Sequence, residues 1–162
     1  WIRFKPDAEE IDFYKDIKER GAKVILFHRS NRIRQYVQGV LRKQRNLALV
    51  KLDVHAAVES IQNSYNRIIW IKHQMEKHGI PLLPISFETC TSDVGMCLRT
   101  IERFTGVEHS DAVLEHLRTP PVMEHRPKDI VSNYLDLEIE LRLKGLGRYI
   151  EEEKKAEKTL QP

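Results

Sequence analysis

Between His28 and Asn46 the chain carries five arginines, one lysine and no carboxylate. Arg29 and Ser30 open that stretch, and Gln38 follows about two helical turns later. A guanidinium, a hydroxyl and an amide in that order are donors suited to an oxoanion, so a phosphate is expected here. The backbone supports the same expectation. Residues 24–27 form an apolar run that suits a strand buried on both faces. From Ser30-Asn31 onward the apolar residues Ile33, Tyr36, Val37, Val40 and Leu41 recur with helical spacing, and Ser30 or Asn31 suits an N-cap. A buried strand turning into a helix presents backbone N–H groups at the carboxyl edge of a sheet, a natural anion site. Arg32 and Arg34 point away from the apolar stripe and are predicted to form a solvated face.

Other residue types are less informative. Of the seven histidines, His73 and His78 are five apart, which is not a two-ligand face. With no His-x-x-x-His or Cys-x-x-Cys spacing, no metal is expected. Cys90 and Cys97 read as small core or surface residues that leave the redox compartment open. Only Tyr36 interleaves the basic stretch, and it belongs to the apolar face, so no nucleic-acid stacking platform is expected. The net charge of +3 agrees with that reading. Arg126, beside His125 in the proline-rich loop 118–127, is the best remaining candidate for function. Glu88 reads as an anchor for a loop or helix N-terminus, not as a base. Lys5 ends the strand-like alternation of residues 1–5, and Asp7 caps the helix that follows.

The elements that position these residues alternate between helix and strand. The first helix starts at Pro6-Asp7 and closes at Gly21, with Ile11, Tyr14 and Ile17 on its apolar face. After residues 24–45 comes a long helix capped by Asp53 and ending at Gly79. A second strand is predicted over residues 80–87, where Pro81 and Pro84 argue for an edge or irregular position. Asp93 or Ser92 caps a further helix that Gly106 ends. A short helix is predicted over 111–117, and another opens at Pro127 with Ile130, Tyr134, Leu137 and Leu141 on one face. Residues 147–162 read as a charged tail, helical or disordered. The pattern implies an α/β fold, a parallel sheet covered by helices. With 162 residues, 41% hydrophobic and 31% charged, the chain has a globular composition, and its apolar runs are too short to span a membrane. Few strands are visible, so further strands are expected before Trp1.

Three segments taken together resemble the sulfotransferases that use 3′-phosphoadenosine 5′-phosphosulfate (PAPS), in their carbohydrate-type and bacterial-like branch. Residues 23–38 are similar to the family's strand-then-helix with an Arg-Asn pair and a later Ser. Ile85-Ser86-Phe87-Glu88-Thr89, with Phe104-Thr105-Gly106-Val107 after the next helix, resembles its Tyr-Glu-Asp-Leu and Phe-Leu-Gly-Val. Residues 129–141 (DIVSNYLDLEIEL) look like its closing Ile-x-Asn-Tyr helix. Phe4-Lys5 matches a strand ending in lysine.

The resemblance implies that residues 1–146 are the C-terminal part, roughly two-thirds, of a P-loop-like domain. Its strand–phosphate-loop–helix is expected upstream of Trp1. The family's 3′-phosphate arginine falls at Ser30, with Arg29 one place earlier, and its serine falls at Gln38. Arg29, Ser30 and Gln38 would therefore contact the 3′-phosphate of PAPS, and Arg126 belongs to a loop that lies over the nucleotide. Lys5 would stabilise the leaving phosphate, and Asp7 stands where some branches carry a histidine base. The expected acceptor is a hydroxyl, on a carbohydrate, and the expected location is the Golgi lumen. A second reading keeps the ancestry but makes the chain a non-catalytic binding or scaffold subunit with protein partners in a larger assembly. The altered arginine and serine positions favour that second reading, and fold analogy does not decide between them.

Overall fold

The computed structural model describes residues 9–43, 49–108 and 126–159. Its elements run α1 Glu9–Glu19, β1 Val24–His28, α2 Arg32–Lys43, α3 Val54–Lys77, β2 Leu82–Ser86, α4 Phe87–Ser92, α5 Val94–Thr105, α6 Pro127–Ile130, α7 Tyr134–Leu143 and α8 Arg148–Thr159. Helix dominates, and the strands form one small parallel sheet, so the class is α/β. Among the described residues no helix is long and apolar enough to cross a membrane. The chain divides into two compact units, residues 1–28 with 67–118, and residues 29–66 with 119–162.

In the first unit β1 and β2 pair in register from Val24↔Leu82 to His28↔Ser86. Pro84 stands opposite Leu26 and brings no N–H to the ladder, which a two-stranded sheet tolerates because each strand is an edge. Tyr14, Met75 and Ile80 are buried, with Ile17, Val24, Trp70, Ile71 and Leu82 packed around them. The run 24–27 is not buried on both faces. Ile25 and Phe27 stay 39% and 55% exposed, because the helices of this unit pack against the Val24 side of the strand. Gly79 and Gly106 take left-handed φ of 64° and 78°, which ends α3 and α5 where glycine predicts. Lys23 Nζ donates to Phe104 O at 2.7 Å and so places a cation at the C-terminus of α5.

The helix start predicted at Ser92 or Asp93 is present at Asp93, but it follows directly on another short helix. Ser86 Oγ accepts from Thr89 N at 3.0 Å and starts α4, and Asp93 Oδ1 accepts from Met96 N at 2.8 Å and starts α5. Glu88 lies in the first turn of α4, where its charge suits the helix dipole. Cys90 and Cys97, which the sequence presents as small core or surface residues, form a disulfide that joins α4 to α5.

The second unit holds the larger core. Ile33 and Val37 of α2, Ala57, Val58 and Ile61 of α3, Leu137 and Leu141 of α7, and Tyr149 and Ile150 of α8 all lie within it. The helix predicted from Pro127 breaks after Ile130, because Val131 leaves it to form a parallel bridge with Val50. Asn133 secures that bridge. Its Oδ1 accepts from Leu52 N and its Nδ2 donates to Leu52 O, both at 2.9 Å, so one amide satisfies both backbone polar groups of Leu52. Asn133→Ala is expected to lower stability by about 1–3 kcal/mol by stranding those groups. An unchanged urea midpoint in this variant would rule that role out. The charged segment after Gly147 packs as the helix α8, whose Tyr149, Ile150 and Glu153 are fully buried.

Candidate functional site

Of the candidate residues, Lys5 and Asp7 lie outside the described residues, as does the helix predicted over 111–117. Arg29, Ser30, Gln38 and Arg126 are described, and all four belong to the second unit.

The start of α2 is fixed by Asn31, whose Oδ1 accepts from Arg34 N at 3.0 Å as an N-cap. Ser30 and Arg29 immediately precede it, both partly buried. Arg29 Nη1 donates to Gln38 Oε1, across two turns of α2. The predicted guanidinium and amide thus meet beside the helix N-terminus, with the Ser30 hydroxyl next in the chain. Gln38 is a neutral hydrogen-bond partner of that guanidinium, and the helix N-terminus adds positive potential. This arrangement suits a tetrahedral oxoanion.

Arg126 has a different environment. Its Nε and Nη2 donate to Asp129 Oδ2 and Oδ1 at 2.6 and 3.1 Å, a bidentate pair at the opening of α6. Both partners are about half exposed, so the pair contributes little to stability, but it commits the guanidinium to a carboxylate.

Arg32 and Arg34 overturn the expectation of a solvated face. They are only 6% and 7% exposed. Arg34 Nε pairs with Glu153 Oε1 at 3.1 Å, and Glu153 Oε2 accepts from Asn31 Nδ2. Arg32 Nη1 donates to Gln35 Oε1 at 3.1 Å and to Ser64 Oγ at 3.2 Å. The physical reason lies in α8, which brings a buried carboxylate against the start of α2. Glu153 is therefore the residue that sequence reasoning missed. It sits in the run EEEKKAEK, where nothing distinguishes it from its neighbours except its phase: it follows the buried Tyr149 and Ile150 by four and three residues.

The aromatic groups nearby are held neutral. Burial pushes the Tyr36 phenol above its ordinary range, and the Asp53 carboxylate adds to the effect. Burial likewise raises Tyr149, while the hydrogen bond from Arg148 opposes it. Arg148 stacks over Tyr65 at 3.9 Å and over Tyr149 at 4.9 Å, pinning α8 to α3 within this unit. Folded-state phenol values above the unfolded value of 10.0 mean that stability from these groups is fully present below that pH. It falls as pH rises through the tyrosine range. Tyr149→Phe is expected to flatten the loss above about pH 10 in pH-dependent urea unfolding; an identical profile would contradict this.

Compared with protein-family models, curated proteins and solved structures, the chain gives no significant match.

Proposed function

We propose that this chain is part of a PAPS-dependent sulfotransferase-like protein that transfers sulfate to a hydroxyl of a carbohydrate or similar acceptor. The observation that carries the reading is the meeting of Arg29 and Gln38 beside Ser30 at the capped N-terminus of α2. These are the positions where the family resemblance puts the 3′-phosphate ligands.

The residues then divide the work. Arg29 and Ser30 bind and orient the 3′-phosphate, and Gln38 holds the guanidinium in its plane. Asp7 takes the proton from the acceptor hydroxyl as the acceptor oxygen forms its bond to sulfur. Lys5 neutralises the phosphate oxygen that leaves with the electrons of the broken sulfur–oxygen bond. The Cys90–Cys97 disulfide supports work in an oxidising compartment, in keeping with a luminal enzyme.

The test is sulfate transfer by the full-length protein from labelled PAPS to a panel of neutral sugars. Transfer that Lys5→Ala reduces about a hundredfold or more is expected, the scale of losing one preorganised charge at the leaving group. PAPS left intact with every acceptor would contradict it. One observation favours the second reading, a non-catalytic subunit in a larger assembly. Arg34 is spent on a buried pair with Glu153, and Arg126 on Asp129, so part of the basic character serves architecture.

A further inference from the structure

Helix α7 is apolar on two opposite faces. Leu137 and Leu141 are fully buried in the core of the second unit. Leu135, Ile139 and Leu143 stay 67%, 49% and 75% exposed. They recur at i, i+4 and i+8 and so form one stripe about 12 Å long, whose centre lies roughly 160° around the helix from the buried pair. A helix that serves only its own core carries polar residues on its outer face. Three large aliphatic side chains in line on the solvent side are instead the pattern of a contact surface.

The residues beside the stripe set the chemistry of what covers it. Glu138 and Arg142 flank it on one side, and both are tied to α8: Arg142 Nη2 lies 3.5 Å from Glu151 Oε1, and Glu138 Oε1 lies 4.0 Å from Lys154 Nζ. Asp136 and Glu140 flank it on the other. Asp136 is exposed and makes no ion pair among the described residues. Glu140 lies 3.6 Å from His55 Nδ1, a charge partner only when the imidazole is protonated. That flank is acidic, and an apolar stripe with an acidic border fits a partner whose apolar face is bordered by lysine or arginine.

A second copy of the chain fits less well. Antiparallel pairing about a two-fold axis at Ile139 would lay Leu135 over the second copy's Leu143, but it would also gather Asp136 and Glu140 of both copies along one flank. Parallel two-fold pairing would set Asp136 beside the second copy's Glu138. An anionic membrane surface meets the same repulsion. Size narrows the choice further. A helix of 10 residues offers far less than the roughly 800 Å² per partner of a standard globular interface, whereas three anchors at helical spacing match one amphipathic helix.

We infer that the outer face of α7 docks a single basic amphipathic helix of another protein, with Leu135, Ile139 and Leu143 against its apolar stripe and Asp136 and Glu140 against its cations. The contact uses none of the groups assigned to the nucleotide and stands whether or not the chain transfers sulfate.

The experiment is a fluorescence-anisotropy titration of the full-length protein into a labelled helical peptide of about 18 residues, with leucines at i, i+3, i+4 and i+7 and lysines elsewhere. A twin peptide carries glutamate for every lysine. Saturable binding of the lysine peptide with micromolar Kd is expected, at least tenfold tighter than the twin. Leu135→Ser with Leu143→Ser should weaken it at least tenfold and leave thermal unfolding nearly unchanged, because both side chains lie outside the core. Asp136→Lys with Glu140→Lys should reverse the order of the two peptides. No saturable binding of the lysine peptide, equal binding of the two, or binding indifferent to the leucine variant would overturn the inference. So would a concentration-dependent dimer in sedimentation equilibrium that Leu143→Ser abolishes, which would assign the stripe to a second copy.

Discussion

Glu153→Ala should destabilise the unit built from residues 29–66 and 119–162 by about 3–5 kcal/mol, the cost of leaving one member of a buried ion pair uncompensated. Glu153 is 1% exposed and receives both Arg34 Nε and Asn31 Nδ2. Its removal strands the buried Arg34 side chain and releases the amide that caps α2. The pair itself is not an optimal source of stability. Arg34 Nη2 is buried with no hydrogen-bond partner among the described residues, so the guanidinium is incompletely satisfied. Exchanging both members for apolar residues of similar size, Arg34→Met with Glu153→Leu, is therefore expected to recover most of the loss. Urea unfolding of the two single variants and the double variant measures this as a coupling energy. A double variant no more stable than Glu153→Ala would show that the charges are needed as a pair.

The second large effect concerns the other unit. Reducing Cys90–Cys97, or replacing both cysteines by serine, should cost about 2–3 kcal/mol, the entropy returned to the unfolded chain when a short loop is opened. The disulfide lies between two helices whose separate N-caps, Ser86 and Asp93, fix where each begins. Its loss is expected to loosen the α4–α5 corner and leave both helices formed. Far-ultraviolet circular dichroism should hardly change, while the thermal midpoint falls. A midpoint insensitive to reductant would mean that the corner is held by packing alone.

These two features also mark where sequence reading succeeds and where it stops. The N-caps Asn31, Asp53 and Asp93 and the glycine stops at 79 and 106 were readable because each acts through hydrogen bonds only a few residues away. The apolar stripes of α2 and α3 were readable for the same reason. Burial of Arg32 and Arg34 was not. The partner that draws Arg34 inside is 119 residues away in a charged run with no visible apolar face. The break after Ile130 escaped notice because Val131 leaves a helical pattern for a bridge to Val50, far back in the chain. The apolar run of β1 promised burial on both faces, whereas burial depends on which helices pack there, and Ile25 and Phe27 remain open. For the site, the donor chemistry of Arg29, Ser30 and Gln38 is legible in their residue types, but the direct bond from Arg29 to Gln38 appears only in three dimensions.

The proposed activity depends on one binding event at the start of α2. Calorimetric titration of the full-length protein with 3′-phosphoadenosine 5′-phosphate, alongside Arg29→Ala, tests it most directly. Micromolar binding that Arg29→Ala weakens tenfold or more, about 1.4 kcal/mol, is the predicted result. Undetectable binding in the intact protein, or binding indifferent to Arg29→Ala, would contradict the assignment of this helix start as the 3′-phosphate site.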